Sequence, residues 1–342
     1  MHQTKEPPLW ANASDEDLLD QRLSDLGLQI KGSFLESRID QLYFELRQKG
    51  LRLRPHFWLS DEWFTPDGVT GSALAFYMSH PRLMALEKTQ MLEVEGGTHD
   101  WCMRILRHEA GHAIDNAYAL RRKKKRQRIF GKSSEPYPDL YSAKPYSRDY
   151  VRHLDSGYAQ SHPDEDFAET VAVWLAPDSN WRKRYSAWPV IRKLEYIDEL
   201  LTEVATKDPF VTNLDTPGPL SSIHKTLKEH YRDKKKLHQI DFLETYDVDL
   251  RRIFRGPSGS HEEPRAASFL SQIRKEVRRS VAKSTGAYQY TIDQVLEDMI
   301  YRSRKLDLRL SGPPDKAKAD FKKLLTARTT EHLEQRRYRF AL

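Results

Sequence analysis

Residues 108–112 read His-Glu-Ala-Gly-His, two histidines four positions apart with a glutamate directly after the first. On an α-helix, positions four apart lie on one face, about 6 Å apart along the axis. His108 and His112 can therefore present their imidazoles to one metal ion. Glu109 lies next to that face and can act as a general base on a water molecule bound there. The chemistry that such a group supports is metal-assisted hydrolysis.

The residues around this pentapeptide favour a partly buried helix over a surface helix with two solvated histidines. Apolar residues recur at helical spacing from about Asp100 to about Leu120. Histidines on a buried face need polar partners or a metal. Gly111 costs a helix about 0.5–1 kcal/mol relative to alanine, which indicates a close approach by another backbone. The apolar positions are Trp101, Ile105, Leu106, Ala113, Ile114 and Ala117.

A catalytic zinc site also needs a third protein ligand and an open position. Residues 162–175, HPDEDFAETVAVWL, predict a helix with an acidic first turn. Glu165 and Glu169 are four apart, on a face close to the apolar one. A buried glutamate is costly unless it is paired or binds a metal, so one is a candidate ligand and the other a candidate partner of a ligating histidine. The alternative, an acidic helix cap, explains Asp164 and Asp166 better than Glu169.

Two segments together, HEAGHAID at 108–115 and EDFAE at 165–169, resemble the gluzincin metallopeptidases. The resemblance is to the anthrax lethal-factor-like group and to a set of bacterial zinc-binding metallopeptidases, and it covers roughly residues 50–205. It implies an α+β fold: a zincin-like core with a small mixed sheet, the HExxH helix and a glutamate-ligand helix. Asp166 departs from the lethal-factor pattern, in which the corresponding residue is often aromatic.

The resemblance also implies a role for individual residues. His108, His112 and Glu165 would bind one zinc ion, and Glu109 would be the general base of a zinc-dependent peptidase, an endopeptidase acting on proteins or peptides. Tyr158, seven residues before Glu165, would donate its hydroxyl to the developing oxyanion; the alternative is a packed loop tyrosine, one of 16 in the chain. Manganese or iron could replace zinc in vitro. The residues that would support the ligands or their helix are Glu169 and Asp115.

Residues 51–86 are rich in aromatic and branched residues and predict two strands separated by the turn TPDGVTG. The segment SALAFYMS at 72–79 is a candidate edge strand, on which an extended substrate could pair through backbone hydrogen bonds. The alternative is a plain core sheet.

The remaining patterns predict four regions. These are an N-terminal helical segment (1–50), the zincin-like metallopeptidase domain (51–206), a linker with three prolines (207–220) and a helical C-terminal region (221–342). The C-terminal region shows no chemistry, and its role, whether recruiting substrate, inhibiting or oligomerising, stays open. Individual helices are predicted over residues 15–26 behind a Ser14 cap, over 34–49 before Gly50, and over 181–201.

The composition of the chain indicates where in the cell the protein is expected. The 342 residues contain no stretch near the ~20 apolar residues of a membrane helix, and the N-terminus has no apolar signal region. Mean hydropathy is −0.75. The single cysteine, Cys102, excludes internal disulfides and predicts a cytoplasmic location; it is expected to pack in its helix rather than bind metal.

The positive charge of the chain indicates a second possible function. The chain carries a net charge of +6, with RRKKKRQR at 121–128 and a second run at 234–236. Basic clusters can bind nucleic-acid phosphates; the alternative is a solvated helix end, where cations are favoured. The rival is a non-catalytic metal-containing binding protein, associated with nucleic acid through these segments. Glu109 favours the enzyme, because a purely structural site has no use for a base beside its ligands.

Overall fold

The computed structural model describes residues 8–138, 143–144, 147–237, 246–256 and 263–335. Within these ranges the chain forms thirteen α-helices and one sheet of two parallel strands, so the fold is mixed but mainly helical. The chain divides into two compact units, the first ending at Asp233 and the second beginning at Lys234. No helix in the described part of the chain combines the length and the apolar composition needed to cross a lipid bilayer.

The first helix is shorter than the pattern over 15–26 predicts. Helix α1 covers Asp15–Leu19 and begins at the expected cap, where the Ser14 hydroxyl accepts a hydrogen bond from the Asp17 backbone. Residues 21–24 then pair with residues 223–227 instead of continuing the helix: the Leu23 amide donates to the Lys225 carbonyl at 3.1 Å, and the Leu227 amide to the Gln21 carbonyl at 2.9 Å. A partner from a distant part of the sequence ends this helix.

Helix α2 agrees with its prediction. It covers Phe34–Gln48 behind a Ser33 cap. The chain turns at Gly50, whose φ of 76° lies in the left-handed region that favours glycine.

The predicted pair of strands forms a parallel sheet. Strand β1 covers His56–Ser60 and β2 covers Gly71–Ala75, with Trp58 opposite Ala73. The intervening loop returns along the other side of β2, where the Ala73 amide donates to the Phe64 carbonyl at 2.8 Å. The prediction of a substrate-binding edge strand over 72–79 is therefore wrong at Ala73, whose backbone groups already have a partner. Residues 76–79 are a 3₁₀ helix instead of strand.

Helices that follow the sheet build the rest of the first unit. The prediction of one helix over 181–201 is wrong, because the helix stops at Arg184 and a new one starts at Ile191. Pro189 lies in this interruption; proline lacks an amide proton and disfavours helix at the residue before it. These helices are α3 (Pro81–Met91), α4 (His99–Ala117), α5 (Lys124–Phe130), α6 (Pro163–Leu175), α7 (Trp181–Arg184) and α8 (Ile191–Ala205).

Helices α4 and α6 pack against each other at very short range. A Cβ atom placed on Gly111 of α4 would lie 2.8 Å from the Ala168 Cα of α6, closer than real Cβ contacts. The glycine is therefore required by the approach of a second backbone, which confirms the sequence prediction for Gly111. Twelve of the thirteen residues of α6 are buried, so the Glu165 and Glu169 side chains lie in the interior.

The segment predicted as a linker lies along strand β1. Side chains of alternate β1 residues share one face of the strand, and each contacts a backbone carbonyl of this segment. His56 Nε2 lies 2.9 Å from the Asp215 carbonyl, and the Trp58 indole donates to the Pro217 carbonyl at 3.1 Å. The Ser60 hydroxyl donates to the Gly218 carbonyl at 2.6 Å.

The second unit is helical, with its own apolar core. The boundary between the units falls within α9 (Leu227–Leu237). The following helices are α10 (Asp247–Ile253), α11 (Ala266–Thr285), α12 (Gln289–Lys305) and α13 (Pro314–Gln335). Buried core residues include Leu270, Val277, Leu296, Met299 and Phe321. The parts of the predicted N- and C-terminal regions at 1–7, 238–245, 257–262 and 336–342 lie outside the described residues.

Candidate metal centre

Three donor atoms converge between α4 and α6. His108 Nε2 and His112 Nε2 lie 3.1 Å apart. Glu165 Oε2 lies 3.1 Å from His108 Nε2 and 3.2 Å from His112 Nε2. The sequence predicted these three residues as ligands, and the fold brings them together as a group able to hold a metal ion.

The donor triangle fits zinc in size and chemistry. Neighbouring ligand atoms around a tetrahedral ion at zinc–nitrogen distances lie about 3.3 Å apart. The three separations here, 3.1, 3.1 and 3.2 Å, are close to that value. Two imidazoles and one carboxylate are a donor set used by catalytic zinc sites. His108 and Glu165 are almost fully buried, whereas the His112 side chain keeps 13% of its surface exposed. His112 is therefore the most exposed of the three donor residues.

Electrostatics make this pocket a site for a cation. Burial lowers the pKa of His108, but the Glu165 and Glu169 carboxylates overcome it and hold that pKa well above its ordinary value. Burial raises the pKa of Glu165, yet His112 and His108 reverse the effect and leave that pKa well below its ordinary value. The three donor residues are thus stabilised by a positive charge between them, which a proton supplies when no metal is bound. A metal ion that binds there displaces this proton.

Glu169 determines which nitrogen of His108 faces the other donors. Its Oε1 lies 2.9 Å from His108 Nδ1, and its Oε2 accepts a hydrogen bond from the Leu154 amide at 2.8 Å. A carboxylate only accepts, so His108 Nδ1 carries the proton and Nε2 presents its lone pair to the metal position. Glu169 lies where the sequence predicted a supporting carboxylate.

Glu109 points from α4 toward the loop between the two strands. Its Oε2 accepts a hydrogen bond from the Thr65 hydroxyl at 2.6 Å, and Thr65 Oγ1 lies 2.7 Å from the Ser72 hydroxyl. Because the Thr65 proton is committed to the carboxylate, Ser72 is the donor of the second bond. Two hydroxyls in series thus hold the candidate base. Sequence reasoning missed both, since a threonine and a serine near a turn carry no signal of a distant partner.

The strand-connecting loop is itself fixed to α4. The Asn116 side-chain amide donates to the Pro66 carbonyl at 3.0 Å and to the Val69 carbonyl at 2.8 Å. Arg121 pairs with Asp67 at 2.8 Å. Thr65 is therefore held against helix α4 by its neighbours as well as by its own hydrogen bond to Glu109.

Two tyrosines lie beside the donor cluster. The ring centroid of Tyr158, predicted as the oxyanion donor, lies 5.5 Å from that of His108. Tyr137, which the sequence did not single out, donates its hydroxyl to Glu165 Oε1 at 2.9 Å. No spacing rule could have identified Tyr137, because it comes from the irregular chain between α5 and α6.

Asp115 contributes to packing between helices. It accepts a hydrogen bond from the Arg121 amide at 2.7 Å and pairs with Arg126 at 3.4 Å. Arg126 is fully buried and also bonds Asp164 in the first turn of α6. This arginine joins the helix that carries the histidines to the helix that carries Glu165.

The basic run at 121–128 accordingly makes many contacts within the molecule. Besides Arg121 and Arg126, Lys123 pairs with Glu203 at 3.4 Å and Lys125 with Glu199 at 2.6 Å. Much of the charge that suggested a nucleic-acid partner has acidic partners in the first unit.

Residues 102–180 match the model of a family described as "Putative zinc-binding metallo-peptidase". The match begins inside α4, ends after α6 and covers less than a quarter of the chain. It includes both histidines, Glu109, Tyr158 and Glu165. No curated protein and no solved structure matches the chain. The similarity supports a zinc metallopeptidase and does not reach the lethal-factor-like group, which stays a prediction.

Proposed function

We propose that the chain is a zinc-dependent endopeptidase that hydrolyses peptide bonds in proteins or peptides, with Glu109 as its general base. The observation that carries the proposal is the convergence of His108, His112 and Glu165 at 3.1–3.2 Å, directly beside a glutamate that binds none of them. A structural zinc site is normally closed by four protein ligands and has no use for a base beside them, whereas a catalytic site has three protein ligands and an open position.

Each group at the site has a separate role in the proposed hydrolysis. Bound zinc supplies a Lewis acid for the scissile carbonyl and an acidified water as nucleophile. Glu109 accepts the proton of the attacking water and delivers it to the leaving amine. Thr65 donates a hydrogen bond to Oε2 of that carboxylate and thereby orients it. Tyr158, beside His108, is the candidate donor to the oxyanion that develops on the substrate.

Glu109→Gln tests the proposal, because glutamine keeps the size of the side chain and cannot accept the proton. Zinc-loaded wild-type protein is expected to digest unfolded casein, and the variant to do so about 10²–10⁴-fold more slowly while retaining the same zinc content. Glu195→Gln is a matched control on an exposed position of α8, and it should leave both quantities unchanged. Equal zinc and equal cleavage in Glu109→Gln and wild type would refute the assignment of the base.

The rival, a non-catalytic metal-containing protein, has less support. It does not explain why Glu109 is held by Thr65 at 2.6 Å next to the donor cluster. A cytoplasmic location, proposed from the single cysteine, is tested by fractionation of the cells that produce the protein.

A further inference from the structure

Residues 131–137, the segment that follows α5, lie against the first turn of α6. The Ser133 hydroxyl donates to Asp164 at 2.6 Å, and His162 Nε2 bonds the Glu135 carbonyl at 2.8 Å. A Cβ atom on Gly131 would lie 2.8 Å from the Pro163 side chain. This segment therefore contacts three consecutive residues at the start of the helix that carries Glu165.

Tyr137, at the end of this segment, reaches Glu165 itself. Its ring stacks on the His162 ring with centroids 3.7 Å apart and planes 15° apart. Its hydroxyl donates to Glu165 Oε1 at 2.9 Å, whereas Oε2 is the oxygen that faces the two histidines. Each oxygen of the carboxylate thus has a separate partner.

We propose that Tyr137 is a positioning residue that holds Glu165 as a ligand through one oxygen only, an inference that rests on the metal site of the proposed function. A carboxylate can bind a metal through one or both oxygens. With Oε1 committed to the phenol, the second oxygen is kept away from the metal, and the fourth position stays open for water, as a catalytic site requires. Hydrogen-bond partners of ligands commonly change metal affinity 10–100-fold.

The Tyr137 hydroxyl can be removed by substitution while the packing of the ring is kept. About 46% of the Tyr137 surface is exposed, and the stack on His162 supports the ring. Phenylalanine keeps that stack and removes only the hydroxyl. Tyr43→Phe is a matched control, since Tyr43 also donates its hydroxyl at short range, 2.6 Å to the Pro55 carbonyl, outside the donor cluster.

The test measures zinc affinity by competition with a chromophoric chelator, using the full chain. Tyr137→Phe is expected to bind zinc about 10–100-fold more weakly than wild type, and Tyr43→Phe to bind as wild type does. Loaded with Co²⁺, Tyr137→Phe is expected to show weaker visible absorption bands than wild type, because a second carboxylate oxygen raises the coordination number. The unfolding midpoint of the metal-free variants shows that the fold is retained.

Each outcome decides the inference separately from the proposed function. Wild-type zinc affinity and an unchanged Co²⁺ spectrum in Tyr137→Phe would overturn the role of Tyr137 and leave the peptidase proposal standing. A wild-type protein that binds zinc but cleaves nothing would overturn the peptidase proposal, and the affinity comparison would still decide the role of Tyr137. Absence of zinc binding by wild type would overturn both.

Discussion

At the scale of single residues, hydrogen bonds fix the orientation of the side chains at the candidate metal centre. Glu169 orients His108, Thr65 holds Glu109 and Tyr137 holds Glu165. Helical spacing by itself predicted that His108 and His112 share one face and that Glu165 and Glu169 share another. The choice of Glu165 as the ligand came from the family resemblance. Thr65 and Tyr137 could not be predicted, because each reaches the site from irregular chain, and only the complete fold determines what it contacts.

The Thr65 hydroxyl yields a residue-scale prediction. Thr65→Val removes the only proton that the residue can donate to Glu109, so the carboxylate loses its fixed orientation. We expect kcat for peptide hydrolysis to fall about 10-fold or more, as for other misplaced catalytic groups, with zinc affinity unchanged because Thr65 contacts no ligand candidate. Thr65→Ser keeps the hydroxyl and should retain most of the activity. A Thr65→Val enzyme as fast as wild type would show that the bond does not position the base.

At the scale of elements, the centre depends on how closely α4 and α6 approach. The sequence predicted both helices, and the cost of Gly111 in a helix indicated a close approach by another backbone, which the structure identifies as that of α6. Elements whose ends depend on distant partners were predicted less well. Helix α1 ends early because residues 21–24 pair with residues 223–227, and no local pattern signals such pairing.

Gly111→Ala tests the contact between the two helices. Alanine would gain up to about 1 kcal/mol in helix propensity, but its Cβ would collide with the Ala168 backbone, with Cα at 2.8 Å and the carbonyl oxygen at 3.0 Å. We expect a net loss of about 1–3 kcal/mol in the free energy of unfolding and weaker zinc binding. Urea titration measures the first quantity. Adding Ala168→Gly should not restore stability, because the obstacle is backbone; full rescue would contradict this explanation.

Arg126 yields a second prediction at this scale. Arg126→Met leaves the buried Asp115 and Asp164 carboxylates without their shared cation, which costs about 3–5 kcal/mol when a buried pair is broken. Lys124→Met changes an exposed residue of the same basic run and is expected to cost less than about 0.5 kcal/mol. Chemical denaturation compares the two variants. Similar losses would contradict the structural role assigned to Arg126.

At the scale of the whole molecule, the candidate centre lies entirely within the first unit. The second unit has its own core and its own partly buried ion pairs. Asp293 of α12 bonds Arg274 at 2.8 Å and Arg278 at 2.8 Å, both from α11. The sequence predicted that this region is helical, but a pattern of apolar and charged residues does not say which charges meet.

The Asp293 cluster predicts how the stability of the second unit depends on pH. Burial raises the pKa of Asp293, but the two guanidinium groups reverse this and leave it below its ordinary value. The stabilisation is therefore complete above the unfolded pKa of about 4 and is lost as pH falls through the lower folded pKa.

Asp293→Asn should lower stability at pH 7 by about 1–3 kcal/mol, with a difference from wild type that shrinks below about pH 4. Hydrogen exchange of α11 and α12 amides measures it, with Asp320→Asn, a more exposed site on α13, as the control. A difference that does not change with pH would contradict the ion pair as its source.

The most direct test of the central claim is digestion of unfolded casein by the zinc-loaded protein in H₂¹⁸O, followed by mass spectrometry of the new C-termini. Water-mediated hydrolysis with Glu109 as base predicts ¹⁸O in each new carboxylate formed by wild type, and almost no new termini from zinc-loaded Glu109→Gln. Zinc-loaded wild type that forms no new termini, or Glu109→Gln that forms them at the wild-type rate, would contradict the claim.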